Sequence, residues 1–461
     1  MADNARWCPL LVVLAMGACT SIPTFVPHMV PDMDTRHKHV VRLADAHGPL
    51  SAQRSATILA RLAAHGFDTS IFDKHLALVA GIADDALTIG NRVDLLIDGP
   101  ATYASMFAAI KAAQTNVNFE TFIIEDDEIG RRFVSLLVEK QNQGLQVNFV
   151  YDSVGCLNTP RAFFTPLIAS GVNVLEFNPI NPLLARHEWE LNRRDHRKLL
   201  VVDGKVAFVG GINISSVYSS GSFSTFSSSR KRQGWRDTHV RMEGPVVGDF
   251  QRLFMATWTE QGGPSLNRDE YFPALSPEGD EVVRAMGSLP GDDVNQIYVT
   301  LLSAINSAET QVFLTNAYFV PDPQLLTALE QAAARGVDVR LLLPNMTDSA
   351  LVYYASRSFY SQLLHAGIKI YERHDAFLHA KTALVDGVWS TVGSTNLDWR
   401  SFVHNQEINA VMLGQKFGTQ MAAMFDRDLA SSRQVTLADW RKRPIKSRLK
   451  EIGARLWARL L

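Results

Sequence analysis

The feature that most constrains this chain is a repeat. The stretch Asp195-His196-Arg197-Lys198-Leu199-Leu200-Val201-Val202-Asp203-Gly204 recurs as Leu378-His379-Ala380-Lys381-Thr382-Ala383-Leu384-Val385-Asp386-Gly387. Gly210 and Asn213 follow the first His by 14 and 17 residues, and Gly393 and Asn396 follow the second by the same steps. Upstream, both copies show a helical pattern, a Gly turn and an apolar run. GLQVNFVYD from Gly144 is matched by GVDVRLLLP from Gly336, and IASGVNVLEF by LHAGIKIYER. A chain that twice repeats strand, helix, strand and an Asp-Gly hairpin is α/β in class and duplicated. The predicted halves are residues 91–265 and 285–431. Each is expected to be a mixed sheet flanked by helices, with the repeated strands meeting about a pseudo-two-fold axis.

The spacing carries chemistry. In a strand, residues i and i+2 share a face, so His196 projects with Lys198 and His379 with Lys381. One such pair reads equally well as a core His beside a solvated Lys, but two at identical offsets point to a shared site. Asp203 and Asp386 lie seven residues beyond their His, on the opposite alternation, and each precedes a Gly. They read as turn-formers or buried anchors, the alternative being direct chemistry. Two His, two Lys, Asn213 and Asn396 gather donors around an anionic group, and phosphate is the obvious one. With cations on the protein, no metal or other cofactor is expected. One neutral His can attack phosphorus while the other, protonated, donates to the leaving oxygen. Each donor aimed at oxygens that gain charge contributes about 3 kcal/mol.

A nucleophilic His needs its far ring nitrogen held by an acceptor. Glu407, 28 residues after His379 in HNQEINAV, and Asp237, 41 residues after His196 in GWRDTHV, are the candidate orienting acids. Their other reading is surface carboxylates on sheet strands. The extra 13 residues of the first half fall largely in a Ser-rich insertion, Ser215 to Ser229, that reads as a flexible loop.

Composition excludes several classes. Lys+Arg 45 against Asp+Glu 47 leaves a net charge of -2, unlike the basic footprint of a nucleic-acid binder, so no nucleic-acid partner is expected. Three cysteines rule out a disulfide framework, and no Cys/His cluster has zinc-ligand spacing. The ends differ from the body. Trp7 to Ala18 is an uncharged run behind Arg6, too short for the roughly 20 residues that span a bilayer, and residues 1–18 read as a secretory signal. Met16-Gly17-Ala18-Cys19 resembles a bacterial lipobox, which implies acylation at Cys19 and a lipoprotein of the cell envelope facing the periplasm. Residues 19–90 read as a helical N-terminal region. From residue 431 on, nine Lys/Arg face two acids, +7 for a tail that leaves -9 for the rest. Within residues 432–461, Ile445, Leu449, Ile452, Leu456 and Leu460 recur at helical steps. Such a basic amphipathic tail suits an anionic membrane surface, or packs back on the body with its basic face solvated.

Two HxK(x)4D segments, followed by GGIN and GSTN, resemble the phospholipase D superfamily. RDHRKLLVVDGKVAFVGGIN, WRDTHVRMEGPVV, AYFVPD and FLHAKTALVDGVWSTVGSTNLDWRSF extend the resemblance to bacterial cardiolipin synthases, over about residues 90–431. The resemblance implies a phosphatidyltransferase. His196 would attack phosphatidylglycerol to give a phosphatidyl-histidine intermediate. His379 would protonate the departing glycerol and then deprotonate a second phosphatidylglycerol to give cardiolipin. It also groups Asp203 and Asp386 with the catalytic motif. The alternative is a phospholipase D-type phosphodiesterase on the same site, hydrolysing phospholipid or, as the lesser reading, nucleic acid. Expected partners are anionic phospholipids, phosphatidylglycerol and cardiolipin, met at a membrane surface through the N-terminal anchor and the basic tail.

Overall fold

The computed structural model describes Val41, residues 43–65, Ile71, His75, Leu76 and residues 87–458, with 182, 184–189, 191, 222–233, 267 and 293 excepted. The leader with Cys19 and residues 222–229 of the Ser-rich insertion lie outside the described residues.

The first half contains β1 (Leu43–Asp45), β2 (Gly48–Pro49), β3 (Leu87–Ile97), β4 (Asn116–Thr121), β5 (Gln146–Asp152), β6 (Asn173–Phe177), β7 (Arg194–Asp195), β8 (Lys198–Val202), β9 (Val206–Gly210), β10 (Trp235–Arg236) and β11 (Thr238–Glu243). The second contains β12 (Glu281–Ser288), β13 (Gln311–Asn316), β14 (Asp338–Pro344), β15 (Lys369–Arg373), β16 (Phe377–Leu378), β17 (Lys381–Val385), β18 (Trp389–Gly393), β19 (Asn405–Leu413) and β20 (Ser432–Val435). Pairing gives the order β6-β5-β4-β8-β9-β11-β3 in one sheet and β15-β14-β13-β17-β18-β19-β12 in the other. The first three strands of each are parallel and the rest antiparallel. The two sheets have the same order and join edge to edge where β3 pairs with β12. The duplication read from the sequence is therefore a duplication of sheet topology.

Alternation along the strands divides the core. Leu200 and Val202 of β8 face the helices Asp98–Ala112 and Glu128–Asn142, in a cluster with Phe107, Phe133 and Phe149. Leu199 and Val201 face the opposite way, into a core shared by both halves. Helices Val247–Glu260 and Gln415–Ala430 fill that shared core with Phe250, Trp258, Phe417 and Phe425. It also contains a charged tie. Arg236 of the first half donates to Asp428 of the second at 2.7 and 2.9 Å, and Arg373 donates to the same carboxylate. All three side chains are buried, so removing one partner would leave charge uncompensated.

The two Asp-Gly turns settle one open reading. Asp203 and Asp386 sit at φ 53° and 51°, followed by Gly204 and Gly387 at 61° and 69°. Asp203 accepts from the backbone N–H groups of Gln114, Thr115 and Asn116 and from the Thr115 hydroxyl. Asp386 does the same for Glu309, Thr310, Gln311 and the Thr310 hydroxyl. Each carboxylate thus ties its hairpin to the start of β4 or β13. This is the arrangement that the buried-anchor reading of the two Asp describes. β8 and β17 each run five residues from Lys198 or Lys381 to the turn, about 16 Å at the usual strand rise. Asp386→Ala is expected to cost about 3 kcal/mol of stability, since several hydrogen bonds to a charge are lost and Ala is strained at positive φ. A thermal melt measures this; the folded fraction should turn over normally, and an unchanged melting point with lost turnover would reverse the assignment.

Two expectations about the ends are refined. Residues 19–90 include the helix Ala52–His65 but are not wholly helical. β1 and β2 form a hairpin, and β1 pairs in parallel with the start of β3, where backbone groups of that long strand would otherwise lack partners. The tail begins as β20, antiparallel to β15, and continues through helices Leu437–Arg441 and Ile445–Arg455. The last helix packs on the helix Ala350–Arg357. Lys450 Nζ donates to Tyr354 Oη of that helix at 3.2 Å, and Glu451, which accepts from Arg443 of the tail itself at 2.9 Å, and Ala454 are both buried. The apolar stripe Ile445, Leu449, Ile452, Leu456 faces outward and is exposed. Among the described residues no helix is long and apolar enough to cross a membrane.

Candidate active site

His196 and Lys198 stand at the start of β8, and His379 and Lys381 at the start of β17. Lys198 lies opposite Thr121 at the end of β4, and Lys381 opposite Asn316 at the end of β13. Both pairs therefore sit at the carboxyl ends of the parallel strands, one per half.

Short strands from opposite halves bring the pairs together. β7, just before His196, runs parallel to the start of β19, and β16, just before His379, runs parallel to β10. The His196 N–H donates to Gln406 O at 2.9 Å, and the His379 N–H to Arg236 O at 2.8 Å. Each His is thus fixed to the residue preceding the other half's acid. The orienting acids are accordingly exchanged: His196 Nδ1 donates to both oxygens of Glu407 at 3.0 Å, and His379 Nδ1 donates to Asp237 Oδ2 at 2.7 Å. Sequence distance suggested no such exchange, since each acid follows the His of its own half.

Both acids are buried and held. Ser394 Oγ donates to Glu407 at 2.5 Å and Asn405 Nδ2 at 3.3 Å, while Thr238 N donates to Asp237 at 2.7 Å. Gly211, the counterpart of Ser394, has no room for a side chain. A Cβ there would lie 2.3 Å from Asp237 Oδ1. The second Gly of GGIN is required by the acid it sits against.

Electrostatics fix the resting protonation. Burial, reinforced by Lys198 and Lys381 and opposed by Glu407, pushes His196 down to about 4. His379 is lowered by burial and Lys381, against Asp237. Burial raises both acids, but His196 holds Glu407, and His379 holds Asp237, below the usual carboxylate range. Lys198 falls to about 7 and Lys381 to about 8, chiefly by burial. These shifts favour ionised carboxylates beside neutral imidazoles. Because each Nδ1–H is committed to a carboxylate, Nε2 carries the lone pair.

The histidines are dressed differently. Lys198 Nζ and Lys381 Nζ each donate to the carbonyl of their own His, at 2.6 and 2.5 Å, and Lys198 Nζ also stands over the Phe122 ring at 4.9 Å. Lys381 Nζ lies 3.1 Å from both ring nitrogens of His379. Tyr218 Oη lies 3.2 Å from His379 Nδ1 and accepts from Asn213 Nδ2 at 3.3 Å. The surroundings differ too. Beside His196 are buried Asp195 and Glu120, both raised by burial, with Arg197. The positions flanking His379 are Leu378 and Ala380. Asn213 and Asn396 are buried, and each has a side-chain oxygen without a hydrogen-bond partner.

Four aromatic residues of the site were not anticipated. Phe122 packs edge-on against His196 at 4.9 Å, and Trp235, Tyr218 and Tyr318 surround His379 at 5.2, 6.0 and 6.2 Å. Tyr218 also corrects the flexible-loop reading of the insertion's first residues. Ser215–Tyr218 form a capped 3-10 turn, and Tyr103 Oη donates to Asn213 O and Ser215 O at 2.6 and 2.9 Å. Among the described residues no group of three His, Cys, Asp or Glu side chains is placed to hold a metal ion.

The chain is similar to known proteins over both halves. A family model described as "Cardiolipin synthase, PLD-like domain" matches residues 106–222 and 301–429, once in each half. A cardiolipin synthase of Geobacillus kaustophilus is 34% identical over 389 residues, 84% of this chain and 76% of that one. Cardiolipin synthase A of Pseudomonas entomophila is 37% identical over 378 residues, 80% of this chain and 74% of that one. Among solved structures, a phosphatidylserine synthase of Haemophilus influenzae superposes with TM-score 0.60 over 80% of this chain and 95% of its own, at 13% identity. At that identity the likeness is one of fold.

Proposed function

The chain belongs to the phospholipase D-like cardiolipin synthase family, and on that premise we propose that it transfers a phosphatidyl group from one phosphatidylglycerol to another. His196 Nε2 attacks phosphorus, forming the N–P bond as the P–O bond to glycerol breaks. His379, protonated when the phosphodiester occupies the site, gives its proton to the departing glycerol oxygen. It then takes the proton of the second lipid's hydroxyl, whose oxygen attacks phosphorus as the N–P bond breaks. Lys198, Lys381, Asn213 and Asn396 serve as donors to the phosphoryl oxygens, and Asp237 and Glu407 position the two imidazoles.

The observation that carries this reading is the unlike dressing of the two histidines. His196 has an oriented ring and no Lys on its nitrogens, which suits a nucleophile. His379 has Lys381 against its ring, which suits a group that passes a proton. We assign this body to residues 91–265 and 285–431. The leader 1–18 and the tail 432–461 belong to membrane association, with acylation at Cys19 as the envelope anchor.

The test is incubation of the purified protein with phosphatidylglycerol vesicles in chelator, followed by lipid analysis. Cardiolipin and glycerol in equal amounts are expected. Phosphatidic acid alone would replace transfer with hydrolysis, water having taken the place of the second lipid alcohol. No lipid turnover would remove the phospholipid reading.

A further inference from the structure

The exposed apolar surface of this protein is not scattered. Of ten large apolar side chains exposed among the described residues, five are on the last helix and the turn after it: Ile445, Leu449, Ile452, Leu456 and Trp457. Four more, Leu157, Ile180, Leu183 and Met346, are in loops, and the tenth, Ile168, is on the short helix Thr165–Ala169 and belongs to neither group. Those loops share one place in the fold. Leu157 follows the end of β5, Ile180 and Leu183 the end of β6, and Met346 the end of β14. β5 and β6 are parallel to β4, and β14 to β13, so all four residues lie at the strand ends that carry the His/Lys pairs.

Local contacts tie these loops to the site wall. Cys156 Sγ, next to Leu157, donates to the carbonyl of Phe122, whose ring faces His196. Asn178, two residues before Ile180, accepts at its carbonyl from Arg194 at 3.1 Å. Tyr318, beside His379, donates to Asp348 at 2.5 Å, two residues past Met346. The helix that begins after this loop, Ala350–Arg357, is the one on which the terminal helix rests. Lys450 Nζ there donates to Tyr354 Oη at 3.2 Å. The stripe is flanked by Lys446, Arg448, Lys450 and Arg455 in a tail of net charge +7.

We propose that the rim of the site and the terminal helix form one docking face for an anionic bilayer, so that the enzyme sits mouth-down on the lipid it consumes. Leu157, Ile180, Leu183 and Met346 enter the interface around the mouth. The helix lies alongside, apolar stripe inward and cations at the headgroups. Charge selects the occupant: an apolar stripe between cations fits a negatively charged lipid surface. Substrate then reaches His196 without crossing water. This inference rests on the phospholipid reading above and adds the surface by which it is met.

Two sets of exposed residues are changed in the full chain. One carries L157S, I180S and M346S, the other I445S, L449S, I452S and L456S. Flotation with phosphatidylglycerol and with phosphatidylcholine vesicles reads binding. Turnover is compared on long-chain phosphatidylglycerol vesicles and on dispersed short-chain phosphatidylglycerol. Each set is expected to reduce binding to phosphatidylglycerol vesicles and vesicle turnover about tenfold or more, with the short-chain rate unchanged. Wild-type binding should be weaker on phosphatidylcholine. If the rim set binds as wild type while the helix set does not, the mouth does not face the bilayer and the proposal fails. Equal binding to both vesicles, or a dimer that the changes dissolve, would also overturn it. Failure of the functional reading looks different: vesicles are bound, and neither lipid is turned over.

Discussion

With His196→Ala, cardiolipin formation is expected to fall by more than about 10³-fold, and His379→Ala should be as severe on phosphatidylglycerol. The two losses differ in origin, and a changed leaving group separates them. A phosphatidyl ester of p-nitrophenol leaves as a stable anion and needs no proton. His379→Ala should therefore release about one nitrophenolate per protein in a burst and then stall, because nothing deprotonates the second alcohol. Phosphatidyl label should remain on the protein, at His196, in an acid-labile bond. His196→Ala should give no burst and no label with either substrate. The expectation follows from the dressing of the rings, since His196 has a free Nε2 and His379 has Lys381 against it. A burst from His196→Ala with none from His379→Ala would exchange the two roles. Appreciable transfer by either variant would remove the two-histidine mechanism.

Much of this architecture was legible because duplication prints the same signal twice. His196/Lys198 and His379/Lys381 could be paired by offset alone, and the Asp-Gly steps after them marked hairpins that the structure contains. Asp203 and Asp386 were ambiguous because a carboxylate at a turn has the same sequence signature whether it touches substrate or holds backbone. Only the strand pairing shows that each reaches Thr115 or Thr310 at the far end of its sheet. The exchange of the orienting acids was hidden for a related reason. It depends on β7 with β19 and β16 with β10, pairings of two residues each that carry no pattern of their own. Tyr218 was obscured by its serine-rich surroundings. The tail's periodicity was plain in sequence, yet its orientation was not. Glu451 and Ala454 are buried, and Lys450 and Arg455 bond Tyr354 and Ser358 of the body, which leaves Ile445 and Leu449 outward.

That exchange gives the second large prediction. Glu407→Gln should impair the nucleophile of the opposite half, and Asp237→Asn the proton carrier of the opposite half. Each removes a buried negative charge that stabilises positive charge on its imidazole and fixes the tautomer, an arrangement whose loss in other His–carboxylate sites costs up to about 10⁴-fold. We expect losses of about 10² to 10⁴-fold on phosphatidylglycerol for both. On the p-nitrophenol ester they should part. Asp237→Asn acts through His379 and should retain the burst with slow discharge of the labelled protein. Glu407→Gln acts through His196 and should slow the burst itself, because His196 Nε2 loses its push and the phosphorylated ring loses its counter-charge. If each acid served the His of its own half, the two outcomes would be reversed. The readout also separates positioning from folding, since a variant that merely unfolds loses burst amplitude and discharge together. A variant with an unaltered thermal melt and the selective kinetic defect would therefore place the acid on the particular histidine it contacts, Glu407 on His196 or Asp237 on His379.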